Sequence, residues 1–396
     1  MYNQDLPQPH AVLATLVDFS KAFNRVNHNT IITILSRMGI PGWLLKIISS
    51  YLSERELILR YKGKIAGSQK MPGGGPQGSI LGCFLFLILI NSLGLNRSQS
   101  IGKHIAQPVR KRNAMMTNYS KFIDDLTIAV SINLKQCLSE SENGPRPLNY
   151  HARTGHVLTR DKNPMQDEID EMVKYASEHE MVVNEDKTKV ILFNARRSYD
   201  FQPHMILNSD EPLEVVEEIK LLGIVIRSNL CWSSNTNNMC KKAFSRMWII
   251  RRLKALGADH EELVDIYRQQ ILSVLELAVP VWAPGLTQQQ IHQLERVQKT
   301  VIRVILSDEY TSHKEGLRSL KLSTLTERRQ KLCKKFTSKA MKHDKFNSWF
   351  ASNPPKNKNT RSTQTKFKEV KTRTKRYRQL PIPYLTNIAN SLPENI

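Results

Sequence analysis

Three carboxylates stand where a strand would not ordinarily carry them. Asp18 closes the apolar, β-branched run AVLATLVDFS, and Asp124 and Asp125 sit side by side in YSKFIDDLTIAV. Aspartate is disfavoured in strands and costly to bury without a partner. Strand-borne carboxylates have one good physical use, which is to hold a hard divalent cation. Mg²⁺ takes oxygen ligands, usually one or two carboxylates together with substrate phosphates. A cation also removes the repulsion between like charges held close together. Two such ions clamp an in-line phosphoryl transfer, one at the attacking oxygen and one at the leaving group. Neighbours on a regular strand face opposite ways, so Asp124 and Asp125 reach one site only if FIDDL is a hairpin tip. Taken alone, an Asp-Asp pair is more often a solvated turn. The residues around it in the chain decide the matter.

The elements that must position these groups can be read from periodicity and punctuation. AVLATLVDFS reads as a strand. A helix through TIITILSRM is expected to start at an Asn29 cap and stop at Gly39, with Pro41 opening the next helix, GWLLKIISSYLS. ELILRYKGKIAGSQ alternates about KGK and reads as a hairpin. MPGGGPQGS is a Gly/Pro loop feeding an apolar helix from Ile80. Leu93 to Ser120 and Leu138 to Pro164 read as loops. Asp167 to Glu180 is helical, with Ile169, Met172, Val173 and Ala176 on one face. VVNEDKTKVILF ends in a strand and IKLLGIVI reads as another. After Leu230 the pattern turns helical: Leu263, Ile266, Tyr267, Ile271, Val274 and Ala278 keep one face, as do Ile291, Leu294, Val297, Val301 and Ile305, with VPVWAPG as a break between them. Strands and helices mix without a βαβα rhythm, which implies an α+β sheet with helices on one face.

Composition narrows the partners. The 396 residues carry a net charge of +22, and the charge is uneven. Thr311 to Leu380 holds 21 Lys/Arg against 4 Asp/Glu, an asymmetry that points to nucleic acid. A membrane surface fits less well, because no apolar face accompanies the most basic part. The longest apolar run, ILGCFLFLILI, is too short to span a bilayer, which needs about 20 residues, and reads as a buried helix. The five cysteines show no zinc-binding spacing and read as reduced thiols inside a cell. No signal pattern opens the chain. The expected location is intracellular, in nucleus and cytoplasm, and the sequence leaves oligomeric state open.

Five blocks now stand in order: LVDFSKAFNRVNH, GGGPQGSILG, KFIDDL, NEDKTKVILF and KLLGIVI. This array resembles the reverse transcriptase domain of non-LTR, LINE-like retrotransposons of the jockey and CR1 types. The motifs cover residues 10 to 230, and a looser similarity runs to about residue 342 through SVLELAVPVWAPGLTQQQIHQLERVQKTVIRVIL. The resemblance implies a right-hand polymerase palm at 1–230, a helical thumb-like region at 231–310, a basic helical region at 311–352 and a basic, disordered tail at 353–396. It implies RNA-directed DNA synthesis: dNTPs added to the 3′-hydroxyl of a DNA primer on an RNA template, with two Mg²⁺ ions (Mn²⁺ as the alternative) and no membrane partner. Asp18 and Asp124 match the main metal ligands and Asp125 a supporting one. Phe19 and Phe23 fall at the nucleotide, where the Phe23 ring would exclude a 2′-hydroxyl. Gln77 and Gly78 match the loop lining nucleotide and template. Lys187 matches a lysine near the triphosphate, suited to protonating pyrophosphate. Leu222 and Gly223 match the primer-grip hairpin.

The block departs from the family in two places. Asn24 replaces an aspartate that does not bind metal, and Ile123 replaces a smaller alanine beside the primer end. Only 17 residues precede Asp18, fewer than the family's fingers occupy, so an N-terminally truncated element is expected. The alternative reading is a catalytically inactive relic that grips nucleic acid through its basic thumb and tail. A maturase- or telomerase-like relative ranks below both.

Overall fold

The computed structural model describes residues 10–20, 22–71, 73–75, 78–92, 109–112, 115–122, 125–133, 156–158, 164–193, 201–203, 205–207, 211–352, 366–370 and 375–392. Two compact units divide the chain, Met1–Glu217 and Glu218–Ile396.

In the first unit the strands are β1 (His10–Phe19), β2 (Arg55–Tyr61), β3 (Lys64–Met71), β4 (Val109–Arg112), β5 (Met115–Phe122), β6 (Asp125–Asn133), β7 (His156–Leu158), β8 (Val183–Phe193) and β9 (Phe201–Pro203). Five of them make one sheet in the order β4, β5, β6, β1, β8, and every pairing in it is antiparallel. The helices are α1 (His28–Arg37), α2 (Gly42–Leu52), α3 (Ile80–Ser92) and α4 (Pro164–Glu178).

β1 is apolar because it lies between β6 and β8. Its Leu13, Thr15 and Val17 stand opposite Val130, Ile128 and Leu126. That row shares one core with Ile31, Leu52, Leu85, Leu89 and Ile169 of the four helices. Each such buried aliphatic side chain contributes about 1.5–3 kcal/mol. The other row of β1, Val12, Ala14 and Leu16, stands opposite Ser131, Ala129 and Thr127.

α1 is capped by Asn27, two residues before the expected Asn29. The Asn27 side-chain oxygen accepts from the Asn29 and Thr30 amides at 2.8 and 3.3 Å. Its Nδ2 donates to Glu180 at 2.9 Å, which ties the cap to the chain ahead of β8. Gly39 stops the helix with φ +80°, as its position implies.

The stretch from Leu93 to Ser120 is not all loop: β4 and most of β5 fall within it. The reason is chemical. The core-facing row of β5 includes Tyr119 and Lys121, opposite Ile128 and Leu126. Tyr119 donates its hydroxyl hydrogen to Glu168. Lys121 Nζ donates to the Ile90 carbonyl at 3.0 Å. An inward row whose polar ends are satisfied in this way leaves no apolar alternation to read.

The second unit opens with a hairpin, β10 (Glu218–Leu221) and β11 (Ile224–Arg227). KLLGIVI therefore holds two strands, not one. Leu222 (φ 47°) and Gly223 (φ 87°) turn the chain, both in the left-handed region that hairpin turns require. Then come α5 (Ser233–Ala255), α6 (His260–Ile266), a π-helical turn Tyr267–Leu272, α7 (Gln288–Leu306), α8 (His313–Ser319), α9 (Leu325–Met341) and α10 (Pro381–Ser391). Capping boxes start α6, α7 and α9 at Asp259, Thr287 and Thr324. The break at VPVWAPG is set by Ala278, at φ 49°. Trp282 is fully buried there and donates its Nε1 hydrogen to the Leu277 carbonyl at 2.7 Å. The stretch expected as a disordered tail contains α10, whose Leu385 and Ala389 are buried. Its apolar sequence, PIPYLTNIA, differs from the Lys/Thr-rich text before it. No helix among the described residues is long and apolar enough to cross a membrane.

Candidate active site

The sheet brings two of the three aspartates together. Val17 pairs with Leu126, and both point into the core. Their neighbours Asp18 and Asp125 therefore share the opposite face, at the same end of the sheet. Phe122 pairs with Asp125 across β5 and β6, so FIDDL is the connection of a hairpin, as the like charges require. Asp124 and Ile123 lie outside the described residues. The Asp18 side chain is 38% exposed and Asp125 is exposed, so both carboxylates are open to a ligand from solvent.

Lys187 is delivered to Asp18 by a wide bulge in β8. While β1 advances from Leu16 to Asp18, β8 runs from Asn184 to Lys189. Polar side chains hold the slack. The Thr188 hydroxyl donates to the Asn184 carbonyl at 2.7 Å and accepts from the Asp18 amide at 3.3 Å. The Asn184 side-chain oxygen accepts from the Lys187 amide at 3.3 Å. The outcome is Lys187 Nζ at 3.7 Å from Asp18 Oδ2, with the lysine 69% exposed. A bulge next to a functional carboxylate is a common way to re-aim a side chain.

The glycine loop is fastened to the turn that follows Asp18. The Gly74 amide donates to the Val26 carbonyl at 2.9 Å, and the Gly75 amide to the Phe23 carbonyl at 2.7 Å. His28 Nε2 lies 2.9 Å from the Gly74 carbonyl. Gly74 has φ +88°, and a Cβ there would sit 3.0–3.2 Å from three backbone atoms of Asn24. Only glycine permits this approach. Gly78, φ +83°, opens α3 beyond it, and Gln77 lies outside the described residues. Phe23 is half-buried and stacks on Phe86 of α3, with ring centroids 4.2 Å apart. The Phe19 ring is buried in the core, so its backbone is what it can offer a nucleotide. Leu222 and Gly223 form the β10–β11 turn of the second unit.

The metal fit rests on donor chemistry. Asp18 and Asp125 supply hard oxygens, and two carboxylates are what a protein usually gives Mg²⁺. Among the described residues no group of three or more His, Cys, Asp or Glu side chains could hold a metal ion.

Four positioning residues escaped the reading of the sequence: Asn184, Thr188, His28 and Lys121. The first two look like strand residues until the register shift is known. Lys121 reaches the C-terminal carbonyls of α3, and burial lowers its pKa to about 8. It thus joins the strand leading into the aspartate hairpin to the helix that starts at the glycine loop.

Residues 4–226 match the family described as Reverse transcriptase (RNA-dependent DNA polymerase). Two curated relatives come from Drosophila melanogaster. The probable RNA-directed DNA polymerase from transposon BS is 20% identical over 344 residues, covering 83% of this chain and 33% of that protein. Its counterpart from transposon X-element is 20% identical over 333 residues, covering 83% and 32%. This chain spans about a third of the length of these relatives. Among solved structures, apo telomerase from Candida tropicalis is similar at TM-score 0.38 and 11% identity, covering 80% of this chain and 46% of that one. The Candida tropicalis telomerase in complex with the TWJ fragment of telomeric RNA is similar at TM-score 0.33 and 12% identity, covering 80% and 50%.

Proposed function

Because the chain belongs to the reverse transcriptase (RNA-dependent DNA polymerase) family, we propose that it is the palm and thumb-like part of a non-LTR retrotransposon polymerase. One observation carries the reading: Asp18 and Asp125 occupy the same face and the same end of an antiparallel sheet. The glycine loop is bonded to the turn after Asp18, and Lys187 Nζ lies 3.7 Å from Asp18 Oδ2.

Asp18 and Asp124 would be the main ligands of two Mg²⁺ ions, with Mn²⁺ as the alternative, and Asp125 a supporting one. When bound, the metal supplies electrostatic stabilisation of the oxygens in an in-line displacement. The chain's own residues do the rest. Phe23, backed by Phe86, would meet the sugar of an incoming dNTP with its ring. Gln77 and Gly78 bring backbone to nucleotide and template. Lys187 would give a proton to departing pyrophosphate. Leu222 and Gly223 are proposed to hold the DNA primer. α5 presents Phe244 (43% exposed) and Trp248 (64%) outward between exposed Lys241 and Arg251, a mix of rings and cations suited to nucleic acid. An RNA template, a DNA primer and dNTPs are the proposed partners, and the place of action is the nucleus and cytoplasm.

The test is extension of a DNA primer on an RNA template by the full chain. Deoxynucleotides should be incorporated in strong preference to ribonucleotides, and Phe23→Val should narrow that preference. No extension by folded protein would overturn the proposal and leave the non-catalytic nucleic-acid binder.

A further inference from the structure

The basic charge of the second unit is not spread evenly round its helices. α9 carries two arginines and four lysines, and they point in different directions. Arg328 is turned to Glu276, its Nη2 donating at 3.0 Å. Arg329 is buried and reaches Thr326 at 2.9 Å and Glu295 at 3.6 Å. Arg328 is thus paired though half-exposed, and Arg329 belongs to the interior of the unit. The lysines do not.

Lys331, Lys334, Lys335 and Lys339, with Lys342 just past the helix end, are all exposed. At 3.6 residues per turn they fall on one side, opposite the buried Arg329, Cys333, Thr337 and Ala340. The one acid on that side, Glu327, is turned back to the Thr324 amide at 3.1 Å. No other acid follows until Asp344. Lysines three and four apart repel one another on a helix, and a merely solvated face usually alternates signs. Among the described residues none of these five lysines makes an ion pair that would offset this repulsion. The face therefore suits a polyanion.

We infer that α9 is a track for the phosphate backbone of a nucleic-acid duplex. From Lys331 to Lys342 the track is about 16 Å long at 1.5 Å per residue. A duplex offers one negative charge per about 1.7 Å of axis, so each lysine can meet a phosphate. The exposed face carries no aromatic ring between Lys331 and Lys342, since Phe336 is half-buried and packs against Phe346, with centroids 5.9 Å apart. Single strands are usually held by stacking rings as well as charge. Lysines act as point charges without base selectivity, so contact at α9 would be indifferent to sequence. This surface belongs to the second unit, and binding through it needs no catalysis.

The experiment is equilibrium binding of the full chain to a short blunt DNA duplex across a salt series, without nucleotides. Lys331→Gln, Lys334→Gln, Lys335→Gln and Lys339→Gln are combined in one variant. The slope of log affinity on log salt should flatten by about 0.9 per lost contact, about 3.6 in all. A charge-matched variant of the first unit, with Arg37, Lys46, Lys62 and Lys70 all changed to Gln, should flatten it far less. All eight positions are exposed, and circular dichroism confirms that both variants fold. An unchanged slope in the α9 variant overturns the inference. So does equal flattening in the two variants, which would mean that only net charge matters. A single strand of the same length should lose less affinity than the duplex, and an equal loss overturns the duplex assignment. A chain that extends no primer would still bind through α9, so this test and that of the polymerase reading fail separately.

Discussion

Gly74→Ala isolates the contact that fastens the glycine loop to the aspartate strand. The residue has φ +88°, and the new methyl would lie 3.0 Å from the Asn24 carbonyl oxygen, 3.1 Å from its Cα and 3.2 Å from its carbonyl carbon. These are backbone atoms and cannot swing aside. Gly39→Ala is the matched control: its φ is +80°, but nothing lies within 4 Å of a Cβ there. Left-handed backbone costs an alanine about 1–2 kcal/mol, common to both variants. Overpacking against fixed atoms costs about 1–3 kcal/mol more, at Gly74 alone. The expected losses are therefore about 1–2 kcal/mol for Gly39→Ala and about 2–5 kcal/mol for Gly74→Ala. Native-state hydrogen exchange of His10–Phe19, read by mass spectrometry, reports the first unit without interference from the second. If Gly74→Ala relieves its clash by parting the loop from the Phe23–Val26 turn, the amides of Gly74 and Gly75 also lose protection. Equal destabilisation by the two variants, with the loop amides still protected, would mean that Gly74 makes no such close contact with Asn24.

Three further outcomes are expected. Lys187→Ala should leave stability within about 0.5 kcal/mol, because an exposed ion pair contributes little. It should slow nucleotide addition by about 100-fold or more if the lysine is the proton donor, as single-turnover extension would show. Lys121, lowered from 10.5 to about 8 by burial, binds fewer protons folded than unfolded between those values. Stability should thus rise with pH above about 8, and Lys121→Met should flatten that rise in urea titrations at stepped pH. Native thiol labelling should modify exposed Cys83 quickly, whereas Cys240 and Cys333, buried and raised to about 11, should react only on unfolding.

The chemistry was legible in the sequence where residue type and punctuation coincide. Asp18 ends an apolar run, Gly39 stops a helix, and two adjacent aspartates in a strand pattern demand a hairpin. What stayed hidden depends on partners distant in the chain. β5 hid because its inward row ends in Tyr119 and Lys121, whose polar tips find Glu168 and the end of α3. The β8 bulge hid because Asn184 and Thr188 are ordinary strand-edge residues until Asp18 supplies an amide to bond. Asn27 outranked Asn29 as a cap partly through Glu180, 153 residues away. KLLGIVI concealed a turn because a leucine occupies its first left-handed position.

Iron-directed cleavage tests the convergence of the aspartates most directly. Fe²⁺ replaces Mg²⁺ at oxygen sites, and with ascorbate and peroxide it generates radicals that cut nearby backbone. Cuts are expected in two segments far apart in sequence, around Asp18 and around Asp124–Asp125, competed by Mg²⁺ and lost together in Asp18→Asn. Cuts confined to one segment, or persisting in both after Asp18→Asn, would contradict a shared metal site and the polymerase built on it.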